Sequence, residues 1–439
     1  MNMKHSIAAL TFVFTLSLLL PASVNAENWP HWRGPAYDGS SPEKNLPAKF
    51  SKTKNIKWQV ALPGANASTP IIFDDNVFVS SIDKENRLLA ICFDRKSGKE
   101  RWSKVVGVSA PFDRRATKAA PSPVTDGKTV VYFYGSGDLV GYSVDGEKLW
   151  DRNVVKDYGD FCFQWTFAAS PTFWKGAVYL PVLQRNSPVH GRGKANAESF
   201  ILKIDPANGK TLVKHIRPSK AKAESLESFT SLIPYKGQLV LAGGDCLTGH
   251  DPATLKEQWR WGTWNPTRIG HWRLVPSAAV GGGVIIACAP KGDPIYAISD
   301  ALKGDHSSTK PLWKSDDNRD LSSDVCTPAF YDGKFYVQHD KRRVLSCVEP
   351  KTGKVIWKER LEGRSLVRAS PTVADGKVYV QDHDGTVFVL DAKSGKVLNR
   401  TNMATESVKV ARPSIAVSQG NLFIKVGKAL YCVGSDQVN

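Results

Sequence analysis

One phrase returns along this chain: a small residue, Ser or Thr and Pro within three positions, then a short apolar strand and a turn. It begins at Ser68-Thr69-Pro70, Ala120-Pro121-Ser122, Ala169-Ser170-Pro171, Phe229-Thr230-Ser231, Val275-Pro276-Ser277, Cys326-Thr327-Pro328, Ala369-Ser370-Pro371 and Arg412-Pro413-Ser414. The first turn after each start is often Asp-Gly-Lys, as at Asp126-Gly127, Asp332-Gly333 and Asp375-Gly376. Asp-Gly between alternating strands is a strong hairpin signal. A second turn runs from an acidic residue to a Gly: Asp94 to Gly98, Asp205 to Gly209, Glu349 to Gly353, Asp391 to Gly395. No long helical period separates the copies.

Eight copies at a period of roughly 40 to 50 residues, each reading as four short antiparallel strands, predict an all-β chain folded as an eight-bladed β-propeller. One copy alone cannot cover both faces of its sheet, so neighbours must stack, and a ring leaves no end uncovered. The fourth strand carries a Trp in most copies: Trp102, Trp150, Trp259, Trp313 and Trp357, with Val213 and Leu398 in the third and seventh. A large amphipathic ring at that place is expected to wedge between blades. The last copy ends after the strand Ala429–Val433 and lacks a fourth strand. Asn55–Leu62 lies before the first copy, has no hairpin partner, and carries Trp58 where the others carry theirs. It is expected to close the ring beside Leu430–Val433 and so remove an exposed edge.

The first 26 residues read as a leader rather than as fold. Lys4 and His5 precede an apolar run, Ile7 to Leu20, followed by Pro21 and the small-residue end Val24-Asn25-Ala26. This is the pattern of a secretory signal peptide cut near Ala26-Glu27, so the product is expected to be periplasmic or secreted, with no membrane span. Residues 27–54 then form an extension expected to pack on the propeller of residues 55–439, with its Trp29 contributing less to stability than the fourth-strand Trp residues. The formal net charge of +17 favours acidic partners. No long Lys/Arg run or nucleic-acid motif accompanies it, so nucleic acid is not the expected partner.

The stretches Cys92–Trp102, "CFDRKSGKERW", and Cys347–Trp357, "CVEPKTGKVIW", resemble the tryptophan-docking repeat of pyrroloquinoline quinone (PQQ)-like eight-bladed propellers. "VLDAKSGKVLN" is a degraded copy, and the resemblance runs from Trp58 to Gly434. "NWPHWRGPAYDG", Asn28 to Gly39, resembles the start of exported PQQ-like propellers of planctomycete-type bacteria. The resemblance implies fold more than activity, because the superfamily mixes quinone-dependent dehydrogenases with non-catalytic members such as the propeller subunit of the outer-membrane β-barrel assembly machinery.

Candidate chemistry is sparse. Seven scattered Cys, at 92, 162, 246, 288, 326, 347 and 432, make no disulfide framework. Cys92, Cys347 and Cys432 occupy a small-residue position and read as packed thiols. There is no adjacent Cys pair of the kind PQQ alcohol dehydrogenases carry, no His pair at metal spacing and no Ser/His/Asp set, so no catalytic residue or metal is assigned. A dehydrogenase would need PQQ with a Ca²⁺ site, and Asn265 and Asp324 are the candidates near the channel mouth. The segments between blades concentrate Arg and Trp, and Arg115, Trp165, Trp272, Arg273, Asp324, Arg368 and Arg412 are expected to surround the mouth of the central channel on that face. Such a ring would hold an anionic ligand; the plain alternative is a solvated rim with salt bridges between blades. The insertion Leu183–Phe200 adds Arg185, Arg192 and Lys194 to the same face. The reading that follows is a non-catalytic, monomeric binding or scaffold propeller for a protein partner, an anionic small molecule or an acidic polysaccharide. A PQQ-dependent dehydrogenase of alcohols or sugars is the alternative.

Overall fold

Residues 27–109, 116–405 and 412–434 are described by the computed structural model; the leader expected at 1–26 and Arg115 lie outside the described residues. Each repeat of the sequence is one antiparallel sheet, and eight sheets make the ring. In chain order the blades span residues 71–108, 124–153, 172–216, 233–261, 279–314, 329–360 and 372–402, with 416–434 and 56–61 forming the eighth. Among the described residues, α-helix is confined to Val154–Tyr158.

Burial explains the composition of the strands. Second and third strands are covered on both faces, so they read as nearly unbroken apolar runs: Val344–Val348 is buried at every position. Fourth strands form the outer wall and alternate, as in Val355–Arg360, where every second residue is exposed.

The ring closes where the unpaired last strand required. Ile56–Ala61 runs antiparallel to Ala429–Gly434, with Trp58 opposite Cys432 and Val60 opposite Leu430. The first and last segments of the ring therefore share one sheet, and Ala429–Gly434 is an inner strand of it rather than an open edge.

The fourth-strand Trp residues reach across blade boundaries through their indole N–H. Trp58 donates to Arg95 O (2.7 Å), Trp102 to Val144 O (3.0 Å), Trp150 to Pro206 O (2.7 Å), Trp313 to Pro350 O (2.6 Å) and Trp357 to Ala392 O (3.0 Å). Each ring also lies on a turn Gly of the next blade: a Cβ added at Gly98 would stand 2.8 Å from Trp58, and one at Gly395 2.5 Å from Trp357. Trp259 differs, because its N–H meets Gln238 of its own blade at 2.6 Å. The next blade has Asp300 and Gly304 at the same spacing, but Gly304 pairs with the outer strand that carries Trp259, within a long connection through residues 300–312. Trp261, two residues on, donates to Thr309 O of that connection at 2.9 Å.

Two blades carry a fifth strand. Gly304–Asp305 pairs in parallel with the outer strand Glu257–Trp261. Ser40–Ser41 pairs in parallel with the innermost strand Thr372–Ala374. The second of these belongs to a segment that crosses the hub of the ring on the face of the first-to-second strand turns. Trp29 exchanges backbone bonds with Ile72, Pro30 O accepts from Thr125, Asp38 O from Phe330 and Gly39 O from Val373. The Glu43 carboxylate takes the amides of Gln419 and Gly420. Trp29 is wholly buried, whereas Trp357 is only partly so. Burial thus ranks Trp29 above Trp357, the reverse of the order expected for their contributions to stability, and the extension packs on the propeller as the floor of the hub.

Candidate functional site

The recurring Ser/Thr of the blade starts converge on the axis. Thr69, Ser122, Ser170, Ser231, Ser277, Thr327, Ser370 and Ser414 line a narrow central space of about 160 Å³. Their hydroxyls link successive blades. The amide of Thr69 donates to Ser122 Oγ (2.9 Å), that of Ser122 to Ser170 Oγ (2.9 Å), that of Ser231 to Ser277 Oγ (3.0 Å) and that of Ser277 to Thr327 Oγ1 (2.9 Å). Thr327 continues to Ser370 Oγ (2.9 Å), and Ser414 returns to Thr69 Oγ1 (3.0 Å). Inner strands approach too closely at the axis for large side chains, and their first amides have no partner within their own sheet. A short hydroxyl on the neighbour satisfies both conditions.

The space is closed at one end. Trp32 lines it, and its indole N–H donates to Ser231 Oγ at 3.1 Å. Beneath, the wholly buried Arg33 donates to the carbonyls of Pro328 (2.8 Å), Pro371 (3.1 Å) and Asp38 (3.0 Å), tying the sixth and seventh blades to the floor. His31 beside it is buried and neutral; burial and the Arg33 charge hold its ring down at about 3. The open end is the between-blade face, and there Arg368 and Arg412 line the space.

The other predicted residues of that face do not share this cavity. Trp165 lines a neighbouring space of about 250 Å³ with Phe161, Phe163, Phe167 and Arg192. Trp272 packs against the core shared by the fourth and fifth blades. Arg273 and Asp324 pair with each other at 3.3 Å. The rim is a set of Arg–carboxylate contacts more than a ring of bare cations. Glu224 accepts from Trp165 Nε1 (3.1 Å) and stands 3.9 Å from Arg273. Glu227, fully buried, pairs with Arg185 and accepts the Gln164 amide at 3.0 Å; burial pushes its carboxyl up to about 7. Arg368 faces the fully buried Asp340 at 3.5 Å. These acids escaped the reading of the sequence, which counted the basic residues between blades but not Glu224 and Glu227 ahead of the fourth start, nor Asp340 at the end of a second strand.

The donors a quinone-bound Ca²⁺ would need are committed elsewhere. Asn265 is buried; its Nδ2 donates to Asp245 and to Ile269 O, and its Oδ1 accepts the Ile269 amide, each at 2.9 Å. Asp324 Oδ1 takes the Lys291 amide at 2.8 Å as well as Arg273. The two do not meet on one space, and the axial cavity is smaller than the roughly 300 Å³ at which small-molecule sites begin. The residues present do not fit PQQ with Ca²⁺.

The sequence model of the family described as outer membrane protein assembly factor BamB matches residues 45–186 and 303–434. Among solved structures, a europium-containing methanol dehydrogenase superposes with a TM-score of 0.67 at 11% identity, covering 91% of this chain and 90% of that one. Quinohemoprotein alcohol dehydrogenase from Comamonas testosteroni gives 0.62 at 14% identity, over 94% of this chain and 81% of that one. BamB from Moraxella catarrhalis gives 0.60 at 13% identity, over 87% of this chain and 99% of that one. At these identities the likeness is one of fold. The serine/threonine-protein kinase AfsK of Streptomyces griseus is 37% identical over 109 residues, which are 24% of this chain and only 13% of the kinase.

Proposed function

The chain belongs to the family described as outer membrane protein assembly factor BamB, and on that footing we propose that it is an exported, non-catalytic binding propeller whose between-blade face receives a protein partner through an acidic group. The observation that carries this reading is the blind axial space: floored by Trp32, walled by hydroxyls, and open where Arg368 and Arg412 stand. It has room for one carboxylate-sized group and not for a cofactor. An acidic side chain of a partner, or the acidic group of a polysaccharide, would enter there and meet Arg412, while the Trp165 and Arg273 rim supplies surrounding contacts. No helix of the described residues is long and apolar enough to cross a membrane, and the leader-like first 26 residues favour export.

The test joins binding to cofactor loading. The protein is titrated with an acidic peptide series, and Arg412→Ala with Arg368→Gln is compared with wild type. Glutamine is chosen because it keeps a polar side chain beside the buried Asp340 carboxylate, which Arg368 faces at 3.5 Å. Affinity should fall at least about tenfold in the double variant and weaken with salt, since exposed charges are screened over about 8–10 Å. Unchanged affinity at unchanged thermal midpoint removes the axial site. A thermal upshift and dye-linked alcohol oxidation on adding PQQ with Ca²⁺ would replace this reading by the dehydrogenase.

A further inference from the structure

A cavity of about 700 Å³ opens on the outer flank of the fourth blade, away from the axis. His215 bounds it from the third blade's fourth strand, and Lys220 from the connection to the fourth blade. Asp245 and Cys246 enter from the turn between the fourth blade's second and third strands, and Arg260 and Arg268 from the far side. All seven cysteines are buried. Where the other sulfurs have a polar partner, Cys92, Cys162 and Cys326 donate to an oxygen. Cys246 Sγ instead receives two guanidinium N–H groups, from Arg260 at 3.1 Å and Arg217 at 3.3 Å, with the Gly243 carbonyl 3.5 Å away as the place for its own proton.

Arg217 is the unusual partner. It is buried, and its other bonds go to Thr248 Oγ1 (2.9 Å), Gly243 O (2.9 Å) and Cys246 O (3.1 Å), none of them a carboxylate. A buried cation bonded only to neutral oxygens gains most from a neighbour that can carry negative charge, and the sulfur is that neighbour. A second feature points to a ligand. Asp245 is 1% exposed and lines the same cavity; its Oδ2 accepts from Asn265 and lies 3.6 Å from Arg268 Nη1, but its Oδ1 has no hydrogen-bond partner. A buried acceptor left open beside a cavity is satisfied by what enters it.

We propose that Cys246 is a thiol–disulfide exchange site for a small zwitterionic, peptide-sized disulfide. Cys246 Sγ attacks one sulfur of the incoming R–S–S–R; the S–S bond breaks and a mixed disulfide forms. The departing RS⁻ takes the proton that Cys246 gives up, so the incoming disulfide is the oxidant and nothing else is consumed. The Arg217 and Arg260 N–H groups stabilise charge on sulfur during attack. Lys220 favours the ligand's carboxylate, and Asp245, held by Arg268 on its other oxygen, accepts the ligand's ammonium or amide N–H on Oδ1. The site is separate from the axial channel and does not depend on the binding role proposed for it.

Full chain is incubated with oxidised glutathione or with the neutral bis(2-hydroxyethyl) disulfide, and adducts are mapped by peptide mass spectrometry. One adduct is expected, on Cys246, formed at least about tenfold faster than on any other Cys of the folded protein. Cys246→Ser should abolish it at an unchanged thermal midpoint, and Arg260→Gln should slow it about tenfold. Asp245→Asn should slow the zwitterionic reagent and leave the neutral one unaffected. Adducts spread over several cysteines, adducts seen only after denaturation, or equal preference for the two reagents relative to a free thiol would each overturn the proposal.

Discussion

Arg33 is the point at which the segment ahead of the ring can be tested. Replacing it by Met keeps much of the side-chain volume and removes the guanidinium. Two main-chain carbonyls, of Pro328 and Pro371, then lose their donor in a buried floor, while Asp38 O keeps the Phe330 amide. An orphaned buried acceptor costs about 1–3 kcal/mol, so two of them cost about 2–6. Against this, the variant no longer buries a cation, and that burial is expensive enough to pull the Arg33 guanidinium down to about 10. Relief of that desolvation recovers part of the loss, leaving a net of about 2–4 kcal/mol. At about 2 cal/mol/K per residue, unfolding of the whole ring has an entropy of about 0.8 kcal/mol/K, so the midpoint should fall by about 3–5 °C. Differential scanning calorimetry reads it directly. Gly39→Ala should fall with it, for Gly39 has φ 84° and an added Cβ would stand 2.0 Å from the Arg33 guanidinium. Midpoints within about 1 °C of wild type for both variants would show that the segment does not tie the sixth and seventh blades together, and the reasoning from buried carbonyls would be wrong.

Three further outcomes follow from the same contacts. Trp29→Ala should cost about 3–5 kcal/mol and exceed Trp357→Ala, whose ring keeps part of its surface in water; equilibrium urea unfolding ranks the two. Thr69→Val keeps the shape and removes one hydroxyl of the axial ring, leaving the Ser414 amide without its acceptor, so about 1–3 kcal/mol should be lost with no change in the blade circular dichroism. His250 is buried with Nδ1 3.0 Å from Leu255 O and Nε2 2.9 Å from Thr248 Oγ1, and burial holds it down at about 3. Its neutral form fits the fold, so its share of stability is intact above the unfolded value near 6.5. That share is lost as pH falls from there toward 3, at up to about 1.4 kcal/mol per pH unit. His250→Gln should flatten the decline in stability over that window, and parallel pH profiles for the two proteins would refute the assignment.

The ring was legible because its instructions are local and repeated. A start of Ser/Thr with Pro, an Asp-Gly turn and an acidic-to-Gly turn each act within a few residues, and eight copies average out the departures. Even the missing strand could be inferred, since an unpaired strand before the first start and an unpaired edge after the last have one mutual solution. The same locality hid other features. The blade-start hydroxyls were read as punctuation, but their partners lie one blade away, some 43 to 53 residues on in bonds such as Thr69 to Ser122 and Thr327 to Ser370. Trp259 has the inter-blade place in the repeat, but Gly304 of the next blade pairs with the strand of Trp259 and does not pack under its ring, so Trp261 takes that contact.

The face between blades shows the deeper limit. Basic residues can be counted in a sequence, but whether each is available depends on which carboxylate the ring brings beside it. Arg273 meets Asp324 from 51 residues away, and Arg185 meets Glu227 from 42. A closed ring makes such meetings frequent, because each between-blade segment is flanked by two others distant in sequence. Net positive charge on the chain therefore does not become a bare cationic mouth: pairing consumes much of it. Geometry decides where the remaining groups are aimed: Arg368, beside Asp340, and Arg412 line a blind axial space, and Arg260, paired with Glu257, and Arg217 turn on one thiol at the outer flank of the fourth blade. Function in this fold is better sought where the ring leaves a polar group short of a partner than where the sequence concentrates charge.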